Sequence, residues 1–269
     1  MIKQKLIIII IGIIFTVTFS TFGQSSLARI IDEDGYTYLR NGQSINSQVI
    51  DTIYKNELFY CVQSNSDWYE VTEVKWNKTG YSLTGFMHKS RIQIIDSMII
   101  NDKKKLIEKT FERYKELGNE LNNFVIKQTY NFENKTWNSK KDSLDFEGIS
   151  KKHSDYSENY FSPILESFSI YFCETKDIET IDLFINTLWA NKGSANEIPS
   201  YTFGECFICE PELIKRKLIS IENTNKLDIM INHIHWGLMN LFWTEEDGDN
   251  EPSSQEYLNL IKQLESLKE

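Results

Sequence analysis

Residues 34–42 read Asp-Gly-Tyr-Thr-Tyr-Leu-Arg-Asn-Gly. The Asp-Gly and Asn-Gly pairs are turn signals, and the residues between them are mostly of the aromatic, β-branched or apolar types found in strands. Side chains alternate between the two faces of a strand. Leu39 is therefore expected on the core face, whereas the outer face takes Tyr36, Tyr38 and Arg40.

Short apolar and aromatic runs separated by turn residues continue on both sides of this strand. They predict six strands, at 28–31, 36–40, 49–53, 58–63, 68–74 and 84–88. Six short strands with no helix among them, within about 70 residues, favour a small closed or nearly closed β-barrel.

Four motifs in this region follow one another along the chain. They are the strand and Arg-Asn-Gly-Gln-Ser turn of 32–44, Val49-Ile50 followed by Asn56-Glu57, Asp67-Trp68-Tyr69-Glu70-Val71, and the Gly-Phe-Met-His segment of 85–92. In this order they resemble the bacterial SH3 (SH3b) domain family. The resemblance implies an SH3-like barrel over residues 24–96 that recognises a cell-wall or protein ligand.

The match departs from the family at two turns and one insertion. Gln43 stands where the family usually has Pro, and Asn56 where it usually has Gly, but Asn tolerates the left-handed backbone of such turns. The insertion of residues 75–83 carries Trp76. The candidate ligand-binding residues are therefore Tyr36, Tyr38, Arg40 and Trp76. The alternative is that these aromatic side chains cover the barrel or pack against the helical domain.

After residue 96 the periodicity becomes helical. Six apolar residues from Ile107 to Phe124 are spaced three or four apart, which predicts a long amphipathic helix. The polar segment 131–159 is expected to be a long loop or mobile segment. Further helices are predicted at 163–173, 178–189, 201–209, 211–221, 226–243 and 253–267.

Three local signals refine these helices. Pro211 suits a first helical turn, and Ser253 with Glu256 has the spacing of a capping box. The helix from Lys226 has one apolar face with Ile234 and Leu238 and another with Trp236 and Trp243. It is therefore expected to be buried on two sides, at the centre of its domain.

The predicted fold class is multidomain α+β, with a small SH3-like β-barrel followed by an all-α helical domain. Four segments are expected: a signal peptide over 1–23, the SH3b-like barrel over 24–96, a long helix and polar connecting segment over 97–160, and an α-helical domain over 161–269. The basic start, apolar run and small polar residues of 1–23 are typical of a signal peptide. We therefore expect an exported protein, in the periplasm or outside the cell, with no stable membrane insertion after cleavage. The alternative is an uncleaved N-terminal membrane anchor, which is disfavoured because the apolar run of about 14 residues is shorter than a spanning helix needs.

The charge of the chain is uneven. The whole sequence has a net charge of -10, and removal of residues 1–23 leaves 27 basic against 39 acidic residues. Residues 24–96 carry a net charge of -2 and residues 97–269 a net charge of -10. Such an acidic balance excludes a general nucleic-acid binder, because phosphate neutralisation needs a surplus of Lys and Arg.

Cys206-Phe207-Ile208-Cys209 is the one spacing that suggests metal or redox chemistry, with His233 and His235 downstream. Residues two apart point in nearly opposite directions on a helix, so the two histidines cannot face one metal ion. We expect buried free cysteines. A structural disulfide involving Cys206, Cys209 or Cys173 is the alternative, followed by metal or redox chemistry. No metal or cofactor is predicted.

The acidic segment 245–251 lacks the ligand spacing of an EF-hand loop and is expected to be a solvated interhelical loop. No nucleophile, phosphate-loop or zinc-protease signature is present. The sequence thus favours a binding or adaptor protein for a cell-wall polymer or an envelope protein. The alternatives are a cell-wall hydrolase with an SH3b targeting domain and an acidic, inhibitor-like interaction protein.

Overall fold

The computed structural model describes residues 25–55, 57–73, 82–124, 130–131, 136–137, 139–192, 197–248 and 250–267. The chain divides into two compact units, one ending at Ile95 and the other beginning at Asp96. In the described residues of the first unit, strands make up the regular structure apart from one helical turn at Lys89–Arg91, and helices dominate the described part of the second. The predicted α+β layout of a β-rich part followed by a helical part is confirmed at this level.

The first unit is one antiparallel sheet. Its strands are β1 (Ser25–Ile30), β2 (Tyr36–Arg40), β3 (Val49–Tyr54), β4 (Leu58–Val62), β5 (Trp68–Glu73), β6 (Thr84–His88) and β7 (Ile92–Ile94). They pair in the linear order β3-β2-β6-β5-β4-β1-β7. The sheet is therefore open, with β3 and β7 at its edges, and the closed form of the predicted barrel is wrong. The three-residue β7 was not predicted, because so short a run shows no alternation.

One face of the sheet carries the core. Its fully buried side chains include Leu39, which confirms the predicted alternation in β2; the cluster consists of Ala28, Ile30, Leu39, Ile53, Phe59, Cys61, Val71, Met87 and Ile92. Gly85 lets β6 lie close to β2, since a Cβ there would come 2.6 Å from the carbonyl oxygen of Arg40. The polar side chain of Asp32 is also buried, and its carboxylate pairs with Arg91 at 2.6 Å.

The second unit contains eight α-helices among the described residues. They are α1 (Ile100–Phe124), α2 (Lys140–Tyr156), α3 (Ser162–Thr175), α4 (Ile178–Ala190), α5 (Ile198–Cys209), α6 (Pro211–Ile219), α7 (Thr224–Phe242) and α8 (Gln255–Glu265). A short strand pair, β8 (Tyr130–Asn131) with β9 (Thr136–Trp137), lies between α1 and α2. Within the described part of the chain, no helix combines the length and apolar character needed to cross a membrane.

Helix α2 corrects the prediction of a long loop over 131–159. Ser139 caps it by accepting a hydrogen bond from the Asp142 N–H at 3.1 Å. Further along the helix, Lys151 forms an ion pair at 2.9 Å with Asp155, which lies one turn after it. Caps and ion pairs of this kind stabilise a polar helix without producing a strong apolar period. A π-helical turn, Ser157–Phe161, joins α2 to α3, where Pro163 has no N–H to donate.

Helices α5 and α7 form the closest contact of this unit. A Cβ at Gly237 would overlap the carbonyl oxygen of Ser200, and one at Gly204 would lie 2.9 Å from the carbonyl carbon of Gly237. Ile234 and Leu238 are fully buried at this contact. The backbones touch because neither glycine has a side chain to hold them apart.

The prediction that α7 is buried on two sides is wrong. Trp236 and Trp243 are 44% and 48% exposed, whereas Ile234 and Leu238 are completely buried. Apolar residues occur on both sides of the helix, but only one side packs against the core. The sequence pattern shows how apolar each side is, and the position of Gly237 decides which side is covered.

A disulfide joins Cys173, near the end of α3, to Cys209, the last residue of α5. The expectation of free cysteines is therefore wrong for this pair, and holds for Cys61 and Cys206, which are free and buried. The reason is tertiary: the ends of two helices far apart in sequence meet, and the sequence spacing alone does not show this.

The predicted helix starts are partly confirmed. Pro211 is the first residue of α6, as expected. The cap of α8 is Ser254 rather than Ser253, because the Ser254 hydroxyl accepts the Tyr257 N–H at 3.2 Å. The helix thus begins one residue later than the capping-box pattern suggested.

Replacing Gly237 by Ala tests the close contact of α5 and α7. The added methyl group forces the helices apart, so we expect Gly237→Ala to destabilise the helical unit by about 2 kcal/mol or more. The measurement is urea unfolding followed by helical circular dichroism. Gly148→Ala is the control, because a Cβ there meets nothing within 4 Å; it should be neutral or stabilise by about 0.5–1 kcal/mol. Equal effects of the two substitutions would contradict the contact.

The disulfide gives a second prediction. It closes a chain segment with a sequence separation of 36. Loop-closure entropy predicts that Cys173→Ser with Cys209→Ser lowers the free energy of unfolding by about 3–4 kcal/mol. Urea unfolding of the double variant measures this, and peptide mapping of the non-reduced protein checks the pairing. A Cys206–Cys209 bridge in the map would overturn it.

Candidate functional site

The outward side chains of β2 form the candidate site that the sequence predicts. The rings of Tyr36 and Tyr38 lie 5.5 Å apart at 68°, and the Arg40 guanidinium carbon lies 5.6 Å from the centre of the Tyr38 ring. Tyr36 is 38% exposed and Tyr38 41% exposed, whereas Leu39 between Tyr38 and Arg40 is completely buried. The structure thus brings Tyr36, Tyr38 and Arg40 together on one face. Trp76 lies outside the described residues.

Strand pairing widens this face beyond the predicted residues. Tyr54 of β3 stands opposite Tyr36, and Phe86 of β6 stands opposite Arg40. Directly paired residues share one face of a sheet, so both side chains join the row. We call Tyr36, Tyr38, Arg40, Tyr54 and Phe86 the outer aromatic face.

The row continues toward β5. Trp68 is paired with His88, and their rings meet edge to face at 5.5 Å. The sequence does not assign Trp68, His88, Tyr54 or Phe86 to the site, because which strands neighbour one another depends on the sheet order. The Asn41-Gly42 turn after β2, which directs β3 back along β2, is the sequence signal from which Tyr54 could have been placed beside Tyr36.

Hydrogen bonds and charges hold the outer aromatic face in place. The Arg40 Nη1 donates to the carbonyl oxygen of Ser47 at 2.7 Å, which fixes the guanidinium beside Tyr38. A hydrogen bond with Tyr38 raises the pKa of Tyr36, and the negative charges of Asp34 and Asp32 act in the same direction. Tyr36 therefore stays neutral near pH 7 and offers its hydroxyl group as a hydrogen-bond partner.

This arrangement suits a ligand with flat apolar faces and acceptor groups. Tyrosine rings give large, rigid contact area at little cost in side-chain entropy. The planar guanidinium of Arg40 carries donors suited to carboxylate or carbonyl oxygens. Sugar rings and short peptides have both features.

Ser200 and His233 form the other pair with chemical potential. The Ser200 Oγ lies 2.8 Å from Nδ1 of His233. Burial lowers the pKa of His233, which keeps the imidazole neutral. The pair sits beside the Gly204–Gly237 contact with Ser200 2% exposed, so it joins α5 to α7 rather than opening onto a cleft.

The hydrolase alternative predicts a cleft with convergent polar groups in the helical unit. A groove of about 510 Å³ runs beside α2, lined by Gly148, Lys151, Lys152, Asp155, Tyr156, Asn159 and Tyr160. Its lysines form ion pairs, Lys151 with Asp155 at 2.9 Å and Lys152 with Glu120 at 3.2 Å. Burial raises the pKa of Tyr156 to about 12. The groove therefore holds paired charges and the neutral phenol of Tyr156, and the hydrolase stays a prediction.

The acidic segment 245–251 and the possible metal ligands are the remaining candidate sites. In the acidic segment, Asp247 accepts hydrogen bonds from the N–H and hydroxyl of Thr244 at 2.8 and 2.7 Å, which lowers the pKa of the Asp247 carboxyl. This is a folded turn after α7. Among the described residues, no three His, Cys, Asp or Glu side chains are grouped as metal ligands would be.

No family model, curated protein or solved structure matches the chain. The relationship of the first unit to the bacterial SH3 family thus stays a proposal carried by its motifs. The sequence motifs of the helical unit do not indicate a family.

The buried His233 gives a pH-dependent stability. Its pKa in the folded protein is below the ordinary 6.5. The unfolded chain therefore takes up a proton first as the pH falls. Stability from neutral His233 is complete above about pH 6.5 and is lost as the pH drops toward the folded-state value.

The test compares wild type with His233→Gln by urea unfolding from pH 7.5 to 5. The difference between their free energies of unfolding should narrow as the pH falls. Only in the wild type does the unfolded chain bind a proton at a higher pH than the folded protein, and this lowers the stability of the wild type alone. A difference that is constant or that widens would contradict the burial of this histidine.

Proposed function

We propose that the protein is an exported binding protein of the bacterial cell envelope, and that the outer aromatic face of its SH3b-like sheet binds a cell-wall polymer. The observation that carries the proposal is the exposure of three tyrosines beside Arg40 on a sheet whose other face is a packed core. Exposed aromatic side chains in a contiguous row are unusual on a free surface and common in binding sites.

Three features support this assignment together. The SH3b motifs imply a ligand-binding SH3-like domain, and the signal-like residues 1–23 imply export to the compartment that holds the cell wall. The near-neutral charge of residues 24–96 suits an uncharged or mixed polymer better than a strongly charged partner. A polymer of sugars and short peptides offers flat faces to Tyr36 and Tyr38, and carboxylates to Arg40.

Co-sedimentation with purified peptidoglycan tests the proposal. We expect the protein lacking residues 1–23 to pellet with the polymer, and Tyr38→Ala to weaken binding about tenfold, because Tyr38 lies at the centre of the row. The control is Ile31→Ala, which removes a side chain that is 49% exposed and follows β1, toward the β7 edge of the strand order. It should pellet like wild type.

Two outcomes would overturn the assignment. If wild type stays in the supernatant, the cell-wall polymer is not the ligand. If both substitutions weaken binding equally, the outer aromatic face is not the binding site. In the first case, a pull-down from envelope extract with wild type and Tyr38→Ala would test an envelope protein instead.

A further inference from the structure

A second apolar surface lies on the helical unit, where α5 and α7 meet. It contains Tyr201 and Ile208 of α5 and Trp236 of α7, which we call the seam patch. Tyr201 is 39% exposed and Trp236 is 44% exposed, and Ile208 is exposed to a similar extent. An aromatic and aliphatic surface of this kind within residues 97–269, which carry a net charge of -10, needs an explanation.

The direction of the two helices and the helical repeat place these three residues on one side of the seam. Ser200 lies against His233 and Gly237, and one turn later Gly204 lies against Gly237 and Leu241, so the two helices run in the same direction. At about 100° per residue, Tyr201 and Ile208 flank Gly204 on the same side of the contact as Trp236, which flanks Gly237.

The opposite side of the seam confirms this arrangement. The same geometry predicts that Phe203 and Phe207 of α5 share the other side with Ile231 and Leu238 of α7. All four are buried, none more than 2% exposed. One side of the seam is thus core, and the other is a solvent-facing apolar surface.

The seam patch is rigid before any partner arrives. The backbone contact of Gly204 with Gly237 and the Ser200–His233 hydrogen bond hold the helices together, and the disulfide anchors α5 at Cys209. Binding to a preformed surface avoids the entropy cost of ordering it. Tyrosine and tryptophan are also the residue types that dominate binding energy at protein interfaces.

Charge determines which partner fits. Glu205 lies on α5 between Tyr201 and Ile208, within the patch, and Glu245 and Glu246 are exposed just beyond the end of α7. A second copy of this chain would bring the same acidic residues against them, and anionic lipid would be repelled as well. A partner with apolar residues flanked by Lys and Arg meets both features.

We propose that the seam patch binds a basic amphipathic helix of a partner protein. The apolar side of that helix packs on Tyr201 and Trp236, and its basic side chains lie beside Glu205. This is the helix-in-groove mode of recognition. The site is separate from the outer aromatic face and does not depend on the cell-wall assignment.

The probe is a labelled Leu/Lys peptide of about 18 residues, which forms five turns of an amphipathic helix. A Leu/Glu peptide with the same apolar pattern is the matched comparison. Fluorescence anisotropy should show that the protein lacking residues 1–23 binds the Leu/Lys peptide and not the Leu/Glu peptide. Added salt should weaken this binding.

Variants locate the binding. Trp236→Ala and Tyr201→Ala should each weaken it at least about tenfold, because they remove the two aromatic anchors. Ile178→Ala on α4, whose side chain is 43% exposed, is the control and should bind as wild type does. Glu205→Lys should weaken the Leu/Lys peptide and improve the Leu/Glu peptide. Circular dichroism checks that each variant is folded.

Four results would overturn the proposal. These are equal binding of the two peptides, no binding of either, binding that survives Trp236→Ala, and loss of binding in Ile178→Ala. Two further measurements test other ligands of the patch. Analytical sedimentation tests for a dimer of this chain, and neutral phosphatidylcholine vesicles test for membrane binding. A dimer or a vesicle complex that Trp236→Ala abolishes would assign the patch to a second copy or to a membrane surface instead.

Discussion

The helical unit depends on the place where the backbones of α5 and α7 touch, at Gly204 and Gly237. Only residues without a side chain permit this approach, and it allows Ser200 to reach the imidazole of His233 one turn away. Once the two helices are held at this distance, the burial or exposure of the residues on either side of the contact is fixed. One flank is enclosed by the rest of the unit, and the other is left at the surface with Trp236.

The fold was predictable where each element carries its own signal. The β2 strand is bounded by two turns and has Leu39 between outward residues, so its limits and its faces followed from local chemistry. Helix α2 was missed because the Ser139 cap and the Lys151–Asp155 pair stabilise it, and neither produces apolar periodicity. The open edges of the sheet were missed because closure depends on long-range pairing that no single strand encodes.

The candidate site was predictable within one strand and not across strands. Alternation was enough to place Tyr36, Tyr38 and Arg40 on one face. Tyr54 and Phe86 join them only through the order β3-β2-β6, in which β6 inserts beside β2 from a distant part of the chain. The same limit applies to the disulfide, whose two cysteines meet because helices α3 and α5 end near one another.

Because Cys206 is a free thiol close to Cys209, the order of oxidation and folding decides which disulfide forms first. In the extended chain, Cys206 and Cys209 are the nearest pair, and short loops close at the lowest entropy cost. An oxidant that acts before α3 and α5 dock therefore favours the wrong bridge, which must then be exchanged. Docking reverses this preference, because it places Cys209 against Cys173 and buries Cys206. Burial also raises the pKa of the Cys206 thiol, so little Cys206 thiolate forms. Because the thiolate is the form that attacks a disulfide, the burial of Cys206 protects the Cys173–Cys209 bond from exchange.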